Sequence, residues 1–186
     1  RRWAFGAKEM KQLKDVKHFE VFNGTPVSNN EGDDDHQSTD EIWDTLLSEG
    51  KEIYGMASDD AHHYQNLGAS PLGYMDAPGS AWIWMEIESL STELVIESVR
   101  SGNFFATTGI KPLRINRCRK SLDLEIDPQG AKKISYTTTF IGQGGNVLSR
   151  QQGFSAKYDI QGSEGYVRAK IESSSGKKGW VQPILL

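Results

Sequence analysis

The chain has 186 residues, and its 21 Lys and Arg against 25 Asp and Glu give a formal net charge of −4 at pH 7. This length suits one large domain or two small ones. The acidic balance and the lack of Lys/Arg clusters argue against nucleic acid as a partner. No apolar run is long enough to span a bilayer, so we expect no membrane partner either. The lone Cys118 excludes an internal disulfide.

Up to about residue 110, short apolar runs alternate with helical patterns. Ser38 and Glu41 have the spacing of a capping box, which predicts a helix over Asp40–Ser48 that ends at Gly50. The other expected elements are helices over Ala7–Leu13 and from Ser91 to Gly102, and strands over His18–Phe22, Ile53–Ala57, Ala81–Ile87 and Phe104–Thr107. Strands alternating with helices predict an α/β fold with crossover connections.

Beyond that point the helical period disappears, and short alternating runs are separated by glycines. In one such run Tyr166, Arg168 and Lys170 alternate with apolar residues. The expected strands are Leu113–Asn116, Leu122–Ile126, Ile134–Phe140, Asn146–Leu148, Phe154–Ile160, Tyr166–Ile171 and Val181–Leu186. This pattern predicts a small antiparallel β-sandwich. Pro112 continues neither a helix nor a sheet ladder, so we expect one domain over 1–111 and a second over 112–186.

The densest group of chemically active residues follows the predicted strand Ile53–Ala57. Asp60 and His62 are two residues apart, so in an extended chain their side chains lie on the same side, whereas Asp59 and His63 point elsewhere. Carboxylate oxygen and imidazole nitrogen are common ligands of Zn, Mn and Fe. The sequence therefore predicts a metal site at Asp60 and His62. The alternative is a solvated polar loop, because this spacing is short and occurs by chance.

Several segments, taken in order, resemble a known family of hydrolases. They are Glu20-Val21-Phe22-Asn23, the run from Ile53 to His62, Pro78–Trp82, Gly102–Gly109, Tyr166-Val167-Arg168 and Gly179–Ile184. This ordered set resembles the later half of the PHP (polymerase and histidinol phosphatase) superfamily, in the branch of carbaryl-hydrolase-like proteins. That branch often ends in a β-rich domain.

The resemblance implies a partial distorted (β/α) barrel followed by a small antiparallel β-sandwich. It also implies divalent metal ions (Zn, Mn or Fe) that activate water against a phosphoester or a related small-molecule ester. The family's final D-x-H motif matches Asp60 and His62 as metal ligands. Glu20 matches a recurring glutamate at a strand end, and we expect it to support the site without binding the metal.

The family's other ligands belong to an N-terminal half that this sequence does not contain. The remaining histidines, His18 and His36, do not have the H-x-H spacing of that half. We therefore expect the protein to act together with a missing N-terminal segment of the same protein. The competing hypothesis is a non-catalytic binding module whose sandwich engages carbohydrate or protein. That hypothesis requires an exposed aromatic row on the sandwich, for which the candidates are Tyr136, Tyr158, Tyr166 and Trp180.

Overall fold

The computed structural model of the protein describes residues 5–62, 64, 78–128 and 134–186. The helices are α1 (Ala7–Gln12), α2 (Thr39–Ser48) and α3 (Thr92–Arg100). The strands are β1 (His18–Asn23), β2 (Tyr54–Ser58), β3 (Trp82–Met85), β4 (Phe104–Thr107), β5 (Pro112–Cys118), β6 (Ser121–Ile126), β7 (Tyr136–Gly142), β8 (Asn146–Gln152), β9 (Ser155–Asp159), β10 (Tyr166–Ser173) and β11 (Lys178–Leu185). None of the described helices is long and apolar enough to cross a membrane.

Helix α2 begins as the sequence predicts. The Ser38 hydroxyl accepts a hydrogen bond from the Glu41 amide at 3.2 Å, and the Glu41 carboxylate accepts one from the Ser38 amide at 2.7 Å. The capping box is thus confirmed, and two amides that the helix leaves without partners are satisfied. Residues at helical spacing bury one face of α2: Ile42, Trp43, Leu46 and Leu47.

The described strands form three sheets. Strands β1 and β2, which α2 connects along the chain, pair with each other in parallel. An antiparallel six-stranded sheet has the order β3-β4-β11-β10-β7-β8, and an antiparallel three-stranded sheet has the order β5-β6-β9. The larger sheet takes strands from both sides of Pro112, because β4 pairs with β11. The division into domains at 1–111 and 112–186 stays a prediction.

The expected α/β fold with a partial PHP-type (β/α) barrel is wrong. The described fold is mostly β, and only the β1–α2–β2 unit has the parallel crossover that such a barrel repeats. Strands β3 and β4 flank α3 as predicted, but they pair antiparallel and extend the sheet that contains β11. The hydrophobic period identified these segments as strands, but it carries no information about strand direction or about the sheet that a strand joins.

The six-stranded sheet is the middle layer and has an apolar core on each face. The first core lies against α2 and the β1–β2 pair and includes Trp43, Ile53 and Trp180. The second lies against the three-stranded sheet and includes Leu122 and Phe140. Because successive side chains of a strand point to opposite faces, each central strand contributes to both cores.

The alternation predicted for β10 is confirmed. Val167, Ala169 and Ile171 belong to the core shared with the three-stranded sheet. The residues between them face α2, where Arg168 and Lys170 contact its carboxylates. Buried charged side chains on a strand need partners of opposite charge, and the carboxylates of α2 are these partners.

A buried ion-pair network joins α2 to the central sheet. Arg168 is 1% exposed and binds Asp44 through two hydrogen bonds, Nε to Oδ1 at 2.6 Å and Nη2 to Oδ2 at 2.7 Å. The Tyr166 hydroxyl donates to the same carboxylate at 2.7 Å. Lys170 Nζ lies 2.7 Å from Asp40 Oδ2, and Arg168 Nη2 lies 3.0 Å from Asp40 Oδ1. Paired and bidentate contacts of this kind offset the cost of burying the charges.

A buried side chain also connects the parallel pair to the central sheet. Gln182 on β11 is fully buried, and its amide accepts a hydrogen bond from Gly55 N and donates one to Gly55 O, each at 2.8 Å. The side chain thus completes the backbone pairing of β2. A Cβ on residue 55 would lie 2.8 Å from the Trp43 ring, so this position requires glycine.

Removing the Asp44 carboxylate is expected to destabilise the protein strongly. Asp44→Ala leaves the buried Arg168 guanidinium without its bidentate partner, so the free energy of unfolding should fall by about 3–5 kcal/mol. Urea denaturation measures this change. The control is Asp159→Ala, which breaks an exposed pair with Lys157 (2.8 Å) and should cost far less, because solvent screens exposed pairs. Equal losses in the two variants would contradict the role assigned to the network.

Acid should weaken the same network through Asp40. Burial alone would raise the pKa of this carboxyl, but the nearby charges of Arg168 and Lys170 outweigh burial and lower it. A lowered folded-state pKa contributes stability above the unfolded-state pKa of about 3.9, and this stability is lost as pH falls through the folded value. As pH falls below about 5, the free energy of unfolding of Asp40→Asn should therefore decrease less than that of the parent protein. Urea titrations at a series of pH values measure this difference.

The exposed Asp34 provides a matched control for this pH dependence. Asp34→Asn should follow the acid curve of the parent protein. Parallel curves for the parent protein and Asp40→Asn would show that Asp40 does not contribute to the acid sensitivity.

Candidate functional site

The candidate site lies at the carboxyl ends of the two parallel strands. Strand β1 ends at Asn23 and β2 ends at Ser58, and these two residues are register partners. The carboxyl ends of parallel strands leave a crevice in which ligands commonly bind. The described residues after β2 bring Asp59, Asp60 and His62 to this edge.

The structure brings the two predicted ligands together. His62 Nε2 and Asp60 Oδ1 form a hydrogen bond of 3.1 Å, and both side chains are partly open to solvent. They line a cleft of about 420 Å³ together with Glu20, Asn23 and other residues. The expected convergence of Asp60, His62 and Glu20 in one cleft is therefore observed. Their role as metal ligands stays a prediction.

Asp60 has an unusual backbone conformation. Its φ is 48°, and it is the only residue other than glycine with positive φ in the part of the chain that the structure describes. This left-handed region costs an L-residue about 1–2 kcal/mol, less for Asp and Asn. Such strain is concentrated at functional sites, where surrounding contacts hold it in place. The turn directs the Asp60 carboxylate toward Asn23 and His62.

Asn23 organises the polar side of the cleft. Its Nδ2 donates to Glu20 Oε2 at 3.1 Å and to Asp60 Oδ2 at 3.2 Å. Its Oδ1 accepts hydrogen bonds from Thr25 N, Thr25 Oγ1 and Ser28 Oγ at 2.9–3.0 Å. One amide therefore holds the loop after β1 and positions one oxygen of Asp60, while the other Asp60 oxygen faces His62.

Glu20 supports the cleft through hydrogen bonds, and no cation among the described residues pairs with it. Its Oε1 accepts a hydrogen bond from Ser58 Oγ at 2.5 Å, and its Oε2 accepts the one from Asn23. Both carboxylate oxygens are thus used by the ends of β1 and β2. Glu20 itself is the third of the six residues of β1, so the expected position at a strand end is wrong, although its side chain reaches the ends of both strands.

Asp59 points away from Asp60, as the spacing predicts. Its Oδ2 accepts a hydrogen bond from Gly79 N at 2.6 Å and so fixes the start of the segment that leads to β3. His63 lies outside the described residues, and so does most of the predicted loop from Ser58 to Gly79.

Sequence reasoning overlooked Asn23 as a site residue. The signal was present, because Asn23 stands at the end of a strand that begins the quoted family resemblance, and a polar residue there faces the crevice. The other two described histidines lie elsewhere: His18 Nε2 contacts Val99 O at 2.8 Å, and His36 Nδ1 contacts Asp33 at 2.7 Å. Among the described residues, no group of three or more His, Cys, Asp or Glu is arranged to hold a metal ion.

Comparison with known proteins gives no assignment. No family model matches the chain, no curated protein matches it, and no solved structure matches it.

The strain at Asp60 predicts a particular stability response. Asp60→Gly removes the left-handed penalty, so its free energy of unfolding should equal or exceed that of the parent protein despite the lost contact to Asn23. Asp60→Val places a β-branched residue in this conformation and should cost at least about 1–2 kcal/mol. Urea denaturation of both variants measures the difference. The control is Asp59→Gly, which has no positive φ to relieve and loses the bond to Gly79. A strong decrease in the stability of Asp60→Gly would contradict the assignment of backbone strain to Asp60.

Proposed function

We propose that this protein acts as part of a metal-dependent hydrolase of phosphoesters, in which Asp60 and His62 bind a divalent ion such as Zn, Mn or Fe. The observation that carries the proposal is the convergence of a carboxylate and an imidazole in an open cleft at the ends of two parallel strands. The proposal does not require a (β/α) barrel, because the function lies in the site and not in the fold.

The spacing of the two donor atoms fits one shared ion. Metal bonds to imidazole nitrogen and carboxylate oxygen measure about 2.0–2.2 Å, so two ligands at about 90–110° have donors roughly 2.8–3.6 Å apart. His62 Nε2 and Asp60 Oδ1 are 3.1 Å apart. Both donor types suit the proposed ions.

The surrounding residues support ligand function. Asn23 holds one oxygen of Asp60 at 3.2 Å and leaves the other toward His62. An outer hydrogen bond of this kind orients a ligating carboxylate, and its loss commonly costs 10–100-fold in metal affinity. A bound divalent ion supplies activated water and neutralises developing charge on a phosphoester.

Two ligands are too few for a catalytic centre of this type. Catalytic zinc sites use three protein ligands, and two-metal sites use more. As the family resemblance implies, we propose that an N-terminal segment of the natural protein supplies the further ligands. The 186-residue chain by itself should bind metal weakly and show no turnover.

The competing hypothesis of a carbohydrate- or protein-binding sandwich has less support. It requires an exposed aromatic row, but Tyr136, Tyr166 and Trp180 are at most 3% exposed. Tyr158 packs against Phe140 with ring centroids 5.6 Å apart. These four residues form no exposed binding surface.

Metal titration of this chain tests the ligand assignment. We expect Mn²⁺ to bind with a dissociation constant in about the millimolar range, and Asp60→Asn and His62→Ala each to abolish detectable binding. Electron paramagnetic resonance of free Mn²⁺ measures the bound fraction. The controls are Asp34→Asn and His36→Ala, which remove the same functional groups elsewhere. Unchanged binding in Asp60→Asn and His62→Ala would contradict the assignment.

Activity requires the natural protein with its N-terminal segment. With Mn²⁺ or Zn²⁺ it should hydrolyse p-nitrophenyl phosphate, and chelator, Asp60→Asn or His62→Ala should abolish the activity. Strong metal-dependent turnover by the 186-residue chain would show that further ligands lie within it. A metal-loaded natural protein inactive toward phosphoesters and other small esters would refute the proposed function.

A further inference from the structure

The two antiparallel sheets differ in width, and this difference leaves part of the larger sheet uncovered. Strand β5 contacts β11 and β9 contacts β8, so the three-stranded sheet lies across the β11-to-β8 part of the six-stranded sheet. Strands β3 and β4 therefore extend beyond its edge. Trp84 on β3 is the register partner of Phe105 on β4, so both side chains lie on the face turned toward the three-stranded sheet.

A cavity of about 290 Å³ lies at this step between the sheets. Its apolar lining includes Trp84, Met85, Phe104, Phe105, Leu113 and Ile115. Phe105 is 1% exposed, whereas Trp84 is 39% and Leu113 is 53% exposed. The cavity thus has a buried aromatic floor and walls that are open to solvent, a form typical of small-molecule sites.

The charged residues around the cavity are mainly cations. Among the described residues, Lys111, Arg114 and Arg117 line it against one carboxylate, that of Glu86. Lys111 and Arg114 each pair with an aspartate outside the lining, at 3.2 and 3.4 Å. Arg117 differs from both, because its Nη2 donates to Gly102 O at 2.7 Å and no carboxylate among the described residues pairs with it.

Arg117 carries a charge that its surroundings do not offset. Burial removes hydration from the guanidinium and lowers the pKa of Arg117. A half-buried cation beside an aromatic cavity is stabilised by an anion that occupies the cavity, and a carboxylate matches the planar guanidinium.

We propose that this cavity binds a small planar aromatic carboxylate, with its ring against Trp84 and its carboxylate on Arg117. The volume lies near the lower limit of ligand cavities, which favours one ring with a short acidic side chain. Offset stacking on tryptophan adds to the area buried by the ring. The cavity shares no residue with the cleft of Asp60 and His62, so this proposal is independent of hydrolase activity.

The test compares two ligands of the same shape that differ in charge. trans-Cinnamate is a planar aromatic anion, and cinnamamide is its neutral counterpart. We expect cinnamate to bind the 186-residue chain with a dissociation constant of about 0.1–1 mM, and cinnamamide at least about tenfold more weakly. Calorimetry measures the affinities. The indole N–H signal of Trp84, assigned with Trp84→Phe, should shift in proton–nitrogen spectra, whereas those of the buried Trp43 and Trp180 should not.

Variants separate the contributions of charge and ring. Arg117→Gln should weaken cinnamate at least about tenfold and leave cinnamamide unchanged, whereas Trp84→Ala should weaken both ligands. Arg150→Gln, an exposed arginine on β8 outside the cavity, is the matched control and should change neither.

The ligand comparison in the unsubstituted chain does not depend on any variant folding correctly. Equal affinity for cinnamate and cinnamamide would overturn the proposal, because it would show that charge is not recognised. Absence of binding by both at about 10 mM would also overturn it, as would signal shifts confined to residues away from Trp84.

Discussion

The buried pairing of Arg168 with Asp44 is the interaction on which the rest of the structure depends. Arg168 stands on a central strand, and Asp44 stands on α2, the helix that connects the two parallel strands. The guanidinium also lies over the Trp43 ring, 4.8 Å from its centroid. A fully buried guanidinium tolerates little displacement of its partner, because its desolvation cost is offset only in good geometry. The pairing therefore fixes α2 on the central sheet.

The position of α2 determines the position of the candidate metal site. The helix begins after the loop that Asn23 organises, and Trp43 donates to Ile53 O at 2.9 Å just before β2. Gln182 then ties β2 to the central sheet through Gly55. Buried contacts outside the cleft thus hold the ends of β1 and β2. They also hold Asp60 and His62, which follow β2. A site built on two anchored strands keeps its geometry better than one on a free loop.

The central sheet separates two environments of different chemistry. On one side, polar loops at the ends of the parallel pair gather carboxylate, amide and imidazole groups in an open cleft. At the step between the antiparallel sheets, aromatic side chains and cations surround the second cavity. The first environment lies where strands β1 and β2 end. The second lies beyond the edge of the three-stranded sheet, where that sheet no longer covers the larger one. Incomplete coverage of a sheet leaves concave surface with defined walls, and such surface is where ligands bind.

The sequence by itself determined the local elements. The capping box at Ser38 and Glu41 marked the start of α2, and the alternation around Arg168 assigned each face of β10 correctly, because both signals arise from residues close in the chain. The two-residue spacing of Asp60 and His62 predicted their convergence for an extended chain, whereas the structure brings them together with a left-handed backbone at Asp60. Only the tertiary structure decided that β3 and β4 run antiparallel into the sheet of β11, and that Asn23 lies against Asp60. Strand direction and contacts between distant residues depend on which surfaces pack together, and a hydrophobic pattern records that a face is buried without recording its partner.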